Sequence, residues 1–363
     1  MPSLKLNEIA GLTLDDEYVI RRPLTGEIAN IGSPVRLFLD QRFSYGKPRV
    51  QRLYRDAGPS LAIAPADRSE VNPGTLGTAA DWLLRFLIHP RPDLDLAMYG
   101  ASTFEMTGVR VGTALADIAT GLGMTLPSAP RQSPQVFAGP VPGNTADPER
   151  LARSCWVLAL MTEAFRGGPF AVVGGRVWRY RGAGITGEDL LGMTPPLAVI
   201  QLAAFRAVFQ ESLLPVLALR IGTWAIGPTF IGSELLHADA DLVAGRMLLE
   251  LKTSAKRLSL GIRDLFQLIG YALLDFTNEY RLDSIAIFSA RYGYLATWPL
   301  QRILEDLAGE PVDLQATRVA FQALLMAHQP PPKEHARISD LRARVRERIE
   351  QRRAARRQAG YTS

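Results

Sequence analysis

One stretch of this 363-residue chain constrains its fold more than any other: Ala238-Asp239-Ala240-Asp241-Leu242-Val243-Ala244-Gly245-Arg246-Met247-Leu248-Leu249-Glu250-Leu251-Lys252-Thr253. Two short runs of strand character flank Ala244-Gly245-Arg246, and glycine in so short a link predicts a tight hairpin. Alternate residues of a strand share a face, so Asp239 and Asp241 point one way, as do Glu250 and Lys252. Folding at Gly245 brings Asp241 and Glu250 together with the ammonium of Lys252 beside them. Two facing carboxylates are costly unless a cation lies between them. One or two carboxylates, with waters completing an octahedron, are what Mg²⁺ prefers, and Mn²⁺ is an acceptable substitute.

The lysine sharpens this reading. The chain has only five lysines against 36 arginines, so an acidic residue two positions before a lysine should arise about 0.5 times by chance. It occurs once, on the strand after the paired aspartates. A sequence that otherwise prefers arginine keeps a compact, titratable ammonium at this position. The alternative is an exposed edge hairpin with surface ion pairs, and Leu248, Leu249 and Leu251 argue against it.

Hydrophobic periodicity organises the rest. Residues 1–70 mix short apolar runs with Pro, Gly and Asp and give no firm assignment. A helix over about 75–88 follows from Leu76, Ala80, Leu83, Leu84 and Leu87 at helical spacing, ending near Pro90. Further helices are predicted over about 108–122, 149–165, 188–191 and 197–214, and the proline-rich stretch 125–148 reads as a loop. After Leu219 the period shortens. Strands are predicted within 222–236, at 247–251, at 284–289 and over 292–298, with a helix over about 258–280 and closing helices at 300–307 and 314–327. The expected fold class is therefore α/β.

Composition bounds the class of protein. A hydrophobic fraction of 47% with 21% charged residues is that of a globular chain. No run of eighteen consecutive apolar residues occurs, so no membrane partner is expected, and acidic residues near the N-terminus replace the apolar run of a signal peptide. The expected location is cytoplasmic. The lone Cys155, set among Leu151, Trp156, Leu158 and Leu160, reads as core packing, and four histidines offer no zinc cluster. The net charge of +5 is a property of the tail: residues 333–363 hold ten basic and four acidic side chains, and the remainder 31 and 32. Ile338, Leu341, Val345 and Ile349 predict that residues 331–363 carry a basic amphipathic helix, suited to a phosphate backbone, to the protein's own body or to a second subunit.

Asp241 followed by Glu250-Leu251-Lys252 resembles motifs II and III of the PD-(D/E)XK nuclease superfamily. Gln267-Leu268-Ile269-Gly270-Tyr271 resembles the Q-x-x-x-Y motif of its RecB-like branch. The match covers roughly residues 224–290. It implies a restriction-endonuclease-like mixed sheet flanked by helices, with Asp241 and Glu250 on the metal, Lys252 orienting or polarising the attacking water, and Gln267 and Tyr271 positioning the substrate backbone and the active-site side chains. Taken alone, Gln267 and Tyr271 would be an ordinary i, i+4 helix pair. Gly77-Thr78-Ala79-Ala80-Asp81 is similar to the branch's upstream glycine-plus-acid helix, which makes Asp81 a further catalytic and metal carboxylate. Asp81 lies 160 residues before Asp241, so the resemblance requires a helical insertion of about 105–215 within a nuclease domain of 1–330 whose catalytic core is about 220–300. Glu211 is the rival for that upstream role. Asp239 ranks behind Asp241, because the motif's aspartate is usually followed by an apolar residue, here Leu242. His237 reads as a capping or packing residue.

The implied activity is metal-dependent hydrolysis of nucleic acid, DNA before RNA, in defence against foreign DNA or in repair. The expected protein partner is a second copy of the chain or a component of a defence or repair complex. A catalytically weak scaffolding module and a ribonuclease toxin are the competing readings.

Overall fold

A computed structural model describes residues 18–130, 134–254 and 260–330. The basic tail, predicted as a helix, lies outside the described residues. Along the chain come helices α1 (Leu24–Ala29), α2 (Pro34–Phe43), α3 (Lys47–Ala57), α4 (Pro73–Ile88), α5 (Asp95–Met106) and α6 (Gly112–Gly121), then strand β1 (Gln135–Gly139). Next are α7 (Pro148–Gly167), α8 (Pro169–Val172), α9 (Gly187–Gly192), α10 (Pro196–Val208) and α11 (Leu214–Leu217). Strands β2 (Gly222–Ile226), β3 (Leu242–Ala244) and β4 (Met247–Lys252) precede α12 (Ile262–Leu274), β5 (Ser284–Ser289), β6 (Tyr294–Pro299), α13 (Leu300–Ala308) and α14 (Leu314–Ala327).

The strands form one mixed sheet in sequence order. Neighbours are antiparallel except β4 and β5, which run parallel across the α12 connection. Parallel neighbours require such a crossover, and here the crossover delivers α12 to one face of the sheet. That face, carrying Val243, Leu248, Ile285 and Ile287, packs on α1–α3 and α12–α14. The opposite face, carrying Leu242, Leu249, Leu251 and Phe288, packs on α4–α7 and α9–α11. Odd and even residues of β4 thus belong to different cores, as strand alternation demands, and Glu250 and Lys252 fall on the α12 side. The N-terminus of α4 is well capped: Asn72 Oδ1 accepts from Gly74 N at 2.8 Å, and Pro73 opens the helix.

Three sequence expectations need correction. The proline-rich stretch is not all loop, since β1 lies within it and adds an outer strand to β2. Residues 105–215 are accordingly mainly helical with one strand. The helix predicted over 258–280 is shorter, spanning Ile262–Leu274, and the chain turns beyond it through Asn278 and Arg281 at positive φ. The unassigned N-terminal region supplies α1, α2 and α3. Cys155 is fully buried, as expected. One helical run, Pro196–Leu217, is long and apolar enough to cross a membrane by length and composition, with mean hydropathy 1.4. It carries Gln201, Arg206, Gln210 and Glu211, which is why no unbroken apolar run shows in the sequence. Its Leu202, Phe205, Phe209 and Leu213 are buried in the core it shares with α4 and α7.

Candidate active site

The hairpin forms with Gly245-Arg246 as a two-residue turn, Gly245 at φ +62°. Glycine at the first turn position lets the backbone adopt that angle without a Cβ clash. The register Leu242↔Leu249, continued one step outward, sets Asp241 opposite Glu250. Asp241 has already left the ladder, and its Oδ2 accepts from the backbone N–H of Leu251 at 2.7 Å. Its own carbonyl accepts from Gly227 N at 3.1 Å, which ties the residue to the end of β2.

Lys252 Nζ donates to Glu250 Oε1 at 3.1 Å and to Gln267 Oε1 at 2.9 Å, and it lies 3.4 Å from Asp264 Oδ1. Gln267 Nε2 donates to Glu250 Oε1 at 2.8 Å and to Tyr271 Oη at 2.7 Å. The ammonium has no acceptor, so the amide oxygen must face it and the amide nitrogen must face the carboxylate. Asp264, Gln267 and Tyr271 stand three and four residues apart on one face of α12. Asp264 Oδ2 also accepts from Gly261 N at 2.9 Å, capping the first turn of that helix.

From the other side of the sheet α4 contributes Asp81. Its Oδ2 accepts from Arg85 Nε at 2.9 Å, one helical turn on, and Arg85 itself lies buried over the Trp82 ring. Gly77 permits the approach: a Cβ there would come within 2.9 Å of Thr253 Oγ1 at the end of β4. Asp81, Asp241, Glu250 and Lys252 line one cavity of about 640 Å³ together with Gly77, Thr78, Arg68, Arg166 and Arg291.

The charges in this cavity are uneven. Burial, the Glu250 carboxylate and the Asp81 carboxylate push the Asp241 carboxyl well above the usual range, against the opposing Leu251 N–H. Burial also raises Glu250; Lys252 opposes that rise, while Asp239 and Asp81 add to it. Burial alone would lower the Lys252 ammonium, but Glu250, Asp264 and Asp241 outweigh it and raise it. Burial and then the Glu250 charge push the Tyr271 phenol well up.

Glu250 Oε2 and Asp81 Oδ1 are both buried and find no hydrogen-bond partner among the described residues. A buried carboxylate oxygen left unpaired is expensive, so the arrangement is incomplete as it stands. Each of the two acids uses one oxygen to fix itself and keeps the other free. Among the described residues no three or more His, Cys, Asp or Glu are grouped so that their side chains alone could hold a metal ion. A hard divalent ion that keeps several waters needs only one or two carboxylates, so the free oxygens fit Mg²⁺ better than they fit a closed all-protein cage.

The remaining candidates fall as follows. Glu211 is exposed on a π-helical turn, Phe209–Leu213, and does not line the cavity; the upstream carboxylate there is Asp81. Asp239 is half exposed and pairs with Arg166 at 3.5 Å. His237 is exposed and contributes its carbonyl to Leu24 N at 2.9 Å. Asp264 and Arg85 escaped the sequence reading. Their signal was helix spacing: Asp264 stands three before Gln267, and Arg85 four after Asp81.

Comparisons of this chain with known protein families, with curated proteins and with solved structures find no match.

Proposed function

We propose that this protein is a divalent-metal-dependent nuclease of the PD-(D/E)XK kind, acting on DNA before RNA. The carrying observation is the pair of buried, unpartnered oxygens, Glu250 Oε2 and Asp81 Oδ1, in a cavity that also holds Asp241 and Lys252. The mixed sheet flanked by helices and the QxxxY face of α12 on the lysine–glutamate pair support the same reading.

In this reading Asp81, Asp241 and Glu250 would hold one Mg²⁺, or Mn²⁺ in its place, with waters completing its shell. When bound, the ion supplies charge stabilisation and makes water acidic enough to attack at neutral pH. Glu250, Asp264 and Asp241 raise the Lys252 ammonium and favour its protonated form. Lys252 serves as a fixed cation and donor. Two of its three N–H bonds are short, and the 3.4 Å approach to Asp264 is the one most readily exchanged for a water or a phosphoryl oxygen. Gln267 fixes where that donor points, and Tyr271 fixes Gln267. Water adds to phosphorus as the bond to the leaving oxygen breaks, giving a phosphomonoester and a free hydroxyl. Positioning and electrostatics carry the step without a covalent intermediate.

The test is incubation of purified protein with supercoiled, linear and single-stranded DNA and with RNA, in Mg²⁺, Mn²⁺ or EDTA. Metal-dependent cleavage that Glu250→Gln abolishes is expected. Absence of cleavage on every substrate removes the enzyme reading and leaves the scaffold.

A further inference from the structure

Helix α3 carries Lys47, Arg49, Arg52 and Arg55 against a single acid, Asp56. Its buried residues are Val50 and Tyr54, and Arg49, Arg52 and Arg55 are exposed on the opposite side. An ordinary solvated helix face mixes signs and forms i, i+4 pairs. None of these arginines pairs with a carboxylate among the described residues, not even Arg52 with Asp56 one turn on. Outside residues 333–363 the chain carries one more acid than base, so this is a local concentration of positive charge.

Its position is fixed relative to the cavity. Tyr54 Oη bonds Ser289 Oγ at 2.5 Å, and Ser289 is the β5 partner of Lys252. Gln51 Nε2 bonds the carbonyl of Leu260, next to the Gly261 that Asp264 caps. Arg55 stands one turn beyond Gln51 on the exposed flank of α3. Beyond α3 the chain becomes the cavity wall. Ala62 N and Ile63 N donate to Arg291 O at 2.8 and 3.0 Å, Arg291 Nη1 donates to Ala64 O at 3.1 Å, and Arg68 then lines the cavity. Helix, wall and catalytic sheet are one fixed assembly.

The cavity's three carboxylates are closely balanced by Lys252, Arg68, Arg166 and Arg291, so a phosphate polymer longer than the cavity gains from further cationic surface close by. We propose that the Arg49–Arg52–Arg55 face of α3 is the track along which a nucleic-acid backbone runs to the cavity, gripping phosphates beyond the one cleaved. This inference rests on the nuclease reading for what the cavity does, but the track itself can be measured without cleavage.

The experiment compares full-length wild type with R49E/R52E/R55E, and with R49Q/R52Q/R55Q as the milder variant. Binding of fluorescent single- and double-stranded 30-mer DNA is followed by anisotropy in Ca²⁺ across a salt series. Hydrolysis of bis(p-nitrophenyl) phosphate, too small to reach α3, is followed in Mn²⁺. Charge reversal should weaken binding at least tenfold and reduce the salt slope by about two to three. The glutamine variant should follow in the same direction, and both should keep ester hydrolysis within about twofold. Should the reversal variant fail to fold, the glutamine variant decides. Unchanged binding, or equal loss of ester and DNA activity, overturns the track. A wild type that binds anionic vesicles but no oligonucleotide overturns its assignment to nucleic acid. A wild type that binds DNA through these arginines yet cleaves nothing keeps the track and removes the nuclease.

Discussion

Gln267 accepts from the Lys252 ammonium at 2.9 Å and with the same amide donates to the carboxylate that Lys252 also contacts. The lysine is held from two directions by groups that are themselves held. Replacing Gln267 by Leu keeps the apolar stem and deletes both bonds. Leaving Glu250 and Lys252 short of partners should cost about 1–3 kcal/mol of stability, measurable by chemical denaturation. Cleavage should fall further than that loss explains. A Gln267→Leu variant with wild-type stability and rate would show that the amide bridges nothing of consequence.

Lys252→Ala should separate folding from chemistry. All three proposed metal carboxylates remain, so metal binding should largely survive, while hydrolysis loses about 2.7–4 kcal/mol of transition-state stabilisation, roughly a hundred- to a thousandfold in rate. Lys252→Arg should not restore activity, because a planar fork does not fit where a compact ammonium meets Glu250, Gln267 and Asp264. Normal rates in the arginine variant would reduce the role of Lys252 to positive charge alone.

The raised Asp241 and Glu250 carboxyls make the metal-free protein pH-sensitive in a definite direction. Their folded forms hold protons to higher pH than the unfolded chain does, so stability falls as pH rises from the ordinary carboxylate range toward the folded values. Asp241→Asn keeps an acceptor for Leu251 N–H and removes the charge. It should stabilise the metal-free protein at pH 8 by about 0.5–2 kcal/mol, a gain that vanishes near about pH 4. Thermal melts across pH decide, and an asparagine variant that is less stable at pH 8 contradicts the electrostatic account.

Mg²⁺ or Mn²⁺ should reverse that penalty. At a hundred times its Kd, a metal that binds only the folded state stabilises by about 2.7 kcal/mol, seen as a higher Tm that EDTA abolishes. Glu250→Gln and Asp81→Asn should each shrink the shift. A wild-type Tm indifferent to both ions would leave the buried oxygens without their proposed ligand.

Much of the site was legible because it is local. Asp241, Glu250 and Lys252 follow from strand alternation about one glycine, and Gln267 and Tyr271 from helix spacing. Asp81 came from a motif resemblance, and its placement depends on Gly77 bringing α4 against Thr253, a tertiary contact that periodicity does not encode. β1 was hidden for a related reason: Gln135–Gly139 offers only Val136 and Phe137 as strand formers, and it is a strand through backbone pairing with β2. α3 shows only Val50, Leu53 and Tyr54 among charged neighbours, too thin a stripe to read with assurance, yet it packs firmly beside the sheet.

The carboxylates come from both sides of the sheet, Asp81 from α4 and Glu250 from the strand face that α12 covers. During synthesis Asp81 emerges 160 residues before Asp241, and the Gln267 that orients Lys252 comes later still. A nascent or proteolysed fragment can contain any of these groups without containing their arrangement. Closing the site therefore requires that both layers have docked, which makes its completion a late event in the life of the chain. On the proposed nuclease reading, a product that ends before Gln267 lacks the assembled site and is expected to be inert.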